Sequence, residues 1–297
     1  VPPPTYPPPS IAPLNRGVTF DSPIERSISA DRYRPRSQEK AAVLKTAVKG
    51  IAGSLGYDVI RRNSGAATVS RGLVARFQAY GQDVAFFVEN EWDYIQKHHL
   101  GGRFYETEEL ALIGKHVESG VFVDVGANVG NHTVYALKIL GLEKVIAFEP
   151  NPEAARLLAV NAALNGVSAR LDHRLAGLSD APGIAQIVAP SHKDLGSTRL
   201  ALVSGHGSGA CAVTTGDEAL AGVPAIAMIK IDTEAMELSV LRGLRNTLAR
   251  TRPKLFVEVD DANREAFLSL VDGYGYDVVD TYRRYAANCN FLLTPRV

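Results

Sequence analysis

The sequence predicts a doubly wound α/β domain, a mostly parallel sheet with helices on both faces, over residues 116–297. Three observations carry the prediction. From residue 120 onward, strand-like apolar runs alternate with helical periodicity, the helix starts and stops are chemically marked, and a glycine-rich turn follows the first apolar run. Continuous β-branched runs joined by helices are what a sheet buried on both faces requires.

VFVDVG (121–126) is the first strand, a helix over 131–140 follows, and VIAF (145–148) is the second strand. The helix over 152–164 has Asn151 as its cap, Pro152 as its first residue, Glu153 in its first turn and Asn165-Gly166 as its stop. Residues 180–215, rich in Gly and Ser with short strand-like pieces, predict an inserted ribbon or loop. AIAMIKID (225–232) is the next strand, and the helix after it carries Leu238, Leu241, Leu244 and Leu248 on one face. KLFVEV (254–259) follows Pro253, a last helix covers 262–272, and runs at 277–282 and 289–294 predict an antiparallel closing hairpin.

Ahead of this domain, nine of the sixteen prolines fall within the first 35 residues. Proline fixes φ and removes a donor, so residues 1–36 are expected to form a disordered, polyproline-like tail. From Ser37 a helix is expected, with Val43, Leu44, Val48 and Ile51 on one face through about Leu55. DVAFFVEN (83–90) has the pattern of a strand, WDYIQKHHL (92–100) of a short helix and ETEELALIGKHV (106–117) of a longer one. Residues 37–115 are therefore expected to be a helical or mixed cap.

The 297 residues include 32 Lys+Arg and 32 Asp+Glu, a net charge of zero, so there is no basic excess to hold a phosphate backbone and a nucleic-acid partner is not expected. No uncharged apolar run approaches the roughly 18 residues of a membrane span. Cys211 and Cys289 are too few for a disulfide framework or a cysteine zinc cluster, and the seven histidines lack metal-ligand spacing. With no leader-like head, a cytoplasmic location is expected.

Asp124-Val-Gly126-Ala-Asn128-Val-Gly130 sits where the first strand turns into its helix. Backbone N–H groups there point at a ligand, and glycines let it approach. The Gly-x-x-x-Gly spacing differs from the dinucleotide pattern and suits a ribose with an amino-acid tail better than a pyrophosphate. Glu149, at the end of the second strand, can accept two hydrogen bonds from vicinal ribose hydroxyls. Blander roles stay open: a tight turn for the glycines, a capping carboxylate for Asp124, local backbone bonding for Asn128 and packing for His132. Strand four brings Lys230, Asp232 and Glu234 to the sheet edge, strand five brings Glu258 and Asp260, and alternation puts Lys230 and Asp232 on one face. Such carboxylates can act as a general base, hold hydroxyls, bind a hard cation such as Mg²⁺ or merely cap the next helix; nothing in the sequence supports the cation.

VFVDVGANVGNHT (121–133), FEPNP (148–152), Asn161 with Leu164-Asn165-Gly166, IKIDTEAMELSVLRG (229–243), RPKLFVEV (252–259) and Asn290-Phe-Leu together resemble the FkbM family of S-adenosylmethionine-dependent methyltransferases, over about residues 100–295. The resemblance implies a Rossmann-like methyltransferase sheet with S-adenosyl-L-methionine as cofactor. It implies that Gly126, Asn128 and Gly130 line the methionine end, that Glu149 holds the ribose and that Ala176 and Gly177 lie beside the adenine, with Asp124 and His132 also expected among the cofactor-binding residues. Glu106, after Tyr105, would close over the cofactor, and Asp232, Glu234 and Glu258 would form the catalytic edge. The implied reaction is O-methylation of a hydroxyl on a sugar, glycan or other natural product, with a small-molecule or glycan acceptor as partner.

Two departures bear on the acceptor. Ala235 stands where the family has Gly, which would strain that turn if φ must be positive, and Gly216 replaces an apolar anchor before Asp217. A non-catalytic methyltransferase-like scaffold is the alternative these departures suggest. A nicotinamide-type oxidoreductase fits the fold but not the glycine spacing.

Overall fold

The computed structural model describes residues 58–61, 67–70, 72–188, 195, 199–203 and 210–296. The proline-rich head and the helix expected from Ser37 lie outside them. Two compact units are present, Val1–Gly72 and Leu73–Val297. In the first, β1 (Asp58–Arg61) pairs antiparallel with β2 (Ala67–Ser70).

The second unit opens with a hairpin of β3 (Leu73–Ala79) and β4 (Gln82–Val88). Its two-residue turn, Tyr80-Gly81, is left-handed at both positions (φ 51° and 75°), the conformation that matches strand twist in tight hairpins. Next comes α1 (Gln96–Leu100), shorter than the helix expected over 92–100 because Asp93 Oδ1 ties down the N–H groups of Ile95 and Gln96 at 3.1 and 2.9 Å. It is followed by α2 (Thr107–His116). The described part of the stretch expected as a cap is thus as much strand as helix, and from Leu73 it belongs to the same compact unit as the main sheet.

The main sheet begins with β5 (Val121–Val125), then α3 (Asn131–Val134) running on into a π-helical turn (Tyr135–Ile139), β6 (Lys144–Phe148), α4 (Pro152–Leu164) and β7 (Leu171–Arg174). As the sequence requires, Asn151 Oδ1 accepts from the Glu153 N–H at 3.0 Å and starts α4. The inserted ribbon is a small sheet of β8 (Gly177–Ser179), β9 (Gly183–Val188), β10 (Arg199–Leu202) and β11 (Ala210–Thr215), in the order β10-β9-β11-β8. A short α5 (Gly216–Ala219) follows, capped by Thr215, and then β12 (Met228–Ile231).

The leucine-striped helix is divided into α6 (Glu237–Gly243) and α7 (Arg245–Thr251), with Leu244 between them. Two contacts explain the break. A Cβ on Gly243 would lie 2.0 Å from the Ser179 carbonyl, so α6 packs directly on β8 there. Asp217 then accepts from the Asn246 and Thr247 N–H groups at 3.0 and 2.7 Å, restarting the helix. Gly216 likewise leaves room for Leu244, whose Cδ2 would sit 2.2 Å from an added Cβ. β13 (Lys254–Asp260), α8 (Arg264–Gly273), β14 (Tyr276–Tyr282) and β15 (Asn288–Pro295) complete the chain.

The seven strands lie in the order β14-β15-β13-β12-β5-β6-β7, parallel except for β15, which runs antiparallel to both β13 and β14. The chain winds outward from β5 to β7 and then returns to β12, so the strand order reverses between β5 and β12. A crevice forms at such a switch point, beyond the carboxyl ends of the strands. Alternate residues of the central strands are buried on opposite faces: Val123, Ile229 and Leu255 against Val240, Leu241 and Phe267, and Phe122, Met228 and Phe256 against Ala136, Leu137 and Leu158. Each of the larger of these side chains contributes roughly 1.5–3 kcal/mol.

Asn161 on α4 and Asn165, the residue just past its end, bind the hairpin. Asn165 accepts from the Ala85 N–H and donates to the Ala85 carbonyl (3.1 and 2.6 Å), and Asn161 accepts from the Phe87 N–H at 2.7 Å and donates to the Val129 carbonyl at 2.8 Å. Among the described residues no helix is long and apolar enough to cross a membrane.

Candidate functional site

A cleft of about 350 Å³ opens at the switch point. The loop from β5 to α3 forms its floor. Gly126 and Ala127 donate to the Phe148 carbonyl at 3.0 and 3.1 Å, which fixes the loop to the end of β6. Gly126 has φ 80°, and a Cβ there would fall 1.8 Å from the Asp232 carbonyl, so only glycine lets this loop touch the one after β12. Asn128 is also left-handed (φ 49°), and its Oδ1 accepts from the next N–H at 2.7 Å, the local backbone bond open to it from sequence.

Glu149 stands at the end of β6 with both oxygens anchored. Oε2 accepts from the Asn128 N–H and Oε1 from the Asn151 N–H, each at 2.8 Å. Burial pushes its carboxyl up to about 7, against the pull of those two N–H groups. Pro150, Leu178 and Leu200 line the cleft beside it, with Ala176 and Gly177.

The other side is built around one lysine. Lys230 Nζ, 3% exposed, lies 3.4 Å from Asp124 Oδ1 and 3.3 Å from Asp232 Oδ2 and donates to the Gly126 carbonyl at 2.9 Å. Burial works to lower its pKa, but Asp232, Asp124 and Glu106 outweigh that and hold it charged. Glu258 on β13 accepts from Asn288 Nδ2 at 2.7 Å and Asn290 Nδ2 at 3.4 Å. Burial, with help from Asp232 and Glu106, pushes Glu258 up to about 9. Glu106, left-handed at φ 55° just before α2, is pushed up to about 8 by burial and then by Asp232. His132 Nε2 lies 3.8 Å from Glu106 Oε2 and has no hydrogen-bond partner; burial, then Lys230, keeps this imidazole neutral.

These raised carboxyls set a pH dependence. Glu149, Glu106 and Glu258 start from an ordinary value of 4.5 and bind their protons more tightly in the folded chain. Stability from them is complete below about pH 4.5 and is lost as pH rises through their folded values. The melting temperature of the ligand-free protein should therefore fall between about pH 5 and 9, and Glu258→Gln should flatten the upper part of that fall. An identical slope in the variant would mean that Glu258 titrates as an ordinary surface acid.

The loop after β12 carries two consecutive left-handed residues without glycine, Glu234 (φ 51°) and Ala235 (φ 78°). The positive φ suspected from the sequence is present. Glu237 Oε1 holds the turn by accepting from the Ala235 N–H at 2.9 Å and the Thr233 hydroxyl at 3.2 Å. Neither Asp232 nor Glu234 caps α6, which begins after Met236 without a side-chain cap. Left-handed backbone costs a non-glycine residue about 1–2 kcal/mol, partly offset by the entropy glycine would lose, so Ala235→Gly should stabilise by about 0.5–1 kcal/mol. Thermal melting checks this, and a lower melting temperature would refute it.

Of the residues singled out from sequence, Glu106, Gly126, Asn128, His132, Glu149, Ala176, Gly177, Asp232, Glu234 and Glu258 all line the cleft. Asp124 and Gly130 do not. Asp124 is fully buried beneath the floor, accepting from the Thr133 hydroxyl at 2.7 Å and paired with Lys230. Gly130 (φ 89°) is a packing glycine, because a Cβ would lie 2.5 Å from Leu158 Cδ1. Asp260 is also absent from the lining. Tyr94, Tyr285, Thr233 and Asn288 line the cleft without having been anticipated. They come from three separate stretches of the chain, and no local pattern marks them.

The chain is similar to hexuronic acid methyltransferase AglP of Haloferax volcanii, 33% identical over 141 residues, 46% of this chain and 55% of that protein. It thus spans about half the length of the curated relative it matches. Among solved structures it is similar to methyltransferase FkbM of Methylobacillus flagellatus KT (18% identity, 67% of this chain and 52% of that one, TM-score 0.43). It is also similar to precorrin-6y C5,15-methyltransferase of Geobacter metallireducens GS-15 (11% identity, 65% and 90%, TM-score 0.43). The methyltransferase FkbM domain is matched over residues 124–292, the span that holds the cleft floor, Glu149 and the lysine-centred acids, and the chain belongs to the FkbM methyltransferase family.

Proposed function

We propose that this methyltransferase uses S-adenosyl-L-methionine to methylate a hydroxyl of a sugar or glycan. The observation that carries the reading is Glu149, a buried carboxylate held by two backbone N–H groups at the end of the second sheet strand and facing the cleft. Each of its oxygens keeps a lone pair for a vicinal diol. The residues present fit the donor. Pro150, Leu178 and Leu200 offer an apolar slot for its base, and Gly126 and Asn128 border the methionine end. The unpartnered Nε2 of His132 and the carboxyl of Glu106 are polar groups suited to the amino-acid tail. When bound, the donor supplies an electrophilic methyl group on a sulfonium. The name of the Haloferax volcanii relative supports a sugar as acceptor.

The chain's own part is to orient the acceptor and take its proton. Asp232 is suited to be the base: its side chain is 31% exposed, lines the cleft and is aimed by Lys230. Glu258, fixed by Asn288 and Asn290, and Glu234 would hold acceptor hydroxyls beside it. Asp232→Asn should lower turnover by about 10²–10⁴-fold while leaving affinity for S-adenosylhomocysteine unchanged. Methyl transfer to a panel of glycans tests both halves, and wild-type turnover in the variant would remove Asp232 from the reaction.

A further inference from the structure

We infer that Tyr94, Tyr105, Tyr285 and Asn288 form the acceptor subsite, and that it is built for a neutral hydroxylated ring rather than a sugar acid. The inference rests on the methyltransferase reading of the cleft and adds the acceptor's class to it.

The lining divides by origin. Gly126, Asn128 and Glu149 come from the loops after β5 and β6, and Gly177 opens β8. The tyrosines and Asn288 come from elsewhere: the turn before α1, the approach to α2, the connection between β14 and β15, and the first residue of β15. They join Asp232 and Glu258 in the cleft. An acceptor must lie beside the proposed base, so these groups are its natural contacts.

The three tyrosines form one assembly. The rings of Tyr94 and Tyr105 meet edge to face at 5.6 Å and 87°. The hydroxyls of Tyr105 and Tyr285 are 2.6 Å apart. Asn131 pins the Tyr105 backbone from α3, accepting from its N–H at 3.0 Å and donating to its carbonyl at 2.9 Å. An aromatic face edged with hydroxyls matches a pyranose, which has apolar C–H faces and a polar rim.

Asn288 supplies the independent mark of a ligand. Its Nδ2 is committed to Glu258, whereas its Oδ1 is buried and has no partner. A buried amide oxygen left open costs about 1–3 kcal/mol, and a hydroxyl donor from the acceptor would recover it.

Charge decides which ring. Asp232 and Glu234 line the cleft beside the buried, proton-holding carboxyls of Glu106 and Glu258, and among the described lining residues Lys230 is the one Lys or Arg. Its ammonium is buried and already shared between Asp124, Asp232 and the Gly126 carbonyl. A sugar carboxylate would be desolvated beside Asp232 with no uncommitted Lys or Arg among the described lining residues to pair with, whereas a neutral ring carries no such cost.

The test uses the full chain saturated with S-adenosylhomocysteine. Methyl hexopyranosides and their matching uronates would be titrated at neutral pH and followed by saturation-transfer NMR. A neutral glycoside should bind at least about tenfold more tightly than its uronate. Tyr285→Phe, which removes one hydroxyl, and Asn288→Ala should each weaken neutral-glycoside binding about fivefold or more without altering S-adenosylhomocysteine affinity. Uronates binding as tightly as neutral sugars, no neutral glycoside binding at all, or unaffected variants would each overturn the inference. Failure to bind S-adenosylhomocysteine would instead reject the donor reading on which it stands.

Discussion

Glu149→Ala should weaken S-adenosylhomocysteine binding by about 10²–10³-fold, or ~3–4 kcal/mol, as read by calorimetry. The size follows from the carboxylate's place. Both oxygens are already held by backbone N–H groups, so no ordering of Glu149 is needed when a diol arrives. Truncation removes two charge-assisted acceptors and leaves the Asn128 and Asn151 N–H groups unanswered in a buried loop. Glu149→Gln separates these effects: it preserves shape but replaces one acceptor with a donor facing an N–H group. A loss of about tenfold or more is expected there too. Wild-type affinity in the alanine variant would remove the donor from this cleft.

The second large effect concerns folding. Lys230→Met should destabilise the protein by about 3–5 kcal/mol, because it strands the fully buried Asp124 carboxylate and deprives Asp232 of its partner. For a unit of this size the melting temperature should fall by about 6–20 °C. Adding Asp124→Asn should recover most of the loss, because the buried charge is then removed along with its partner. If the single variant melts within about a degree of wild type, the lysine does not neutralise a buried acid.

The α/β half was legible because its strands are buried on both faces and so are apolar without interruption, and because Asn151, Pro152 and Gly166 punctuate α4. The hairpin of β3 and β4 was half legible. Its second strand is apolar, but the first mixes Arg76 and Gln78 with Leu73 and Val74, and the turn uses Tyr-Gly instead of Asn-Gly. The cleft shows the same division. Gly126 and Glu149 could be read because their chemistry depends on sequence-local placement at strand ends. Gly130 could not be distinguished from Gly126, since a ligand and the side chain of Leu158 both favour a missing Cβ. Lys230 was placed on the correct strand face, but its pairing with Asp124 crosses between neighbouring strands and leaves no mark in either segment. Tyr285 joins Tyr105 and Tyr94 at the cleft wall only because the connection between β14 and β15 carries it there, about 180 residues on from Tyr105.

Asn161 and Asn165 illustrate a different kind of economy. A carboxamide presents the same donor and acceptor as a peptide group, and two of them one helical turn apart lie close enough to serve alternate residues of a strand. At the end of α4 they meet β4 as a neighbouring strand would, although the partner is a helix and its cap and the spacing comes from side chains. The substitution is hard to replace: leucine offers no polar atoms, and aspartate could accept from Ala85 and Phe87 but could not donate to the Ala85 and Val129 carbonyls. Asn161 also reaches the loop that forms the cleft floor, so one side chain acts as a surrogate backbone for two segments at once.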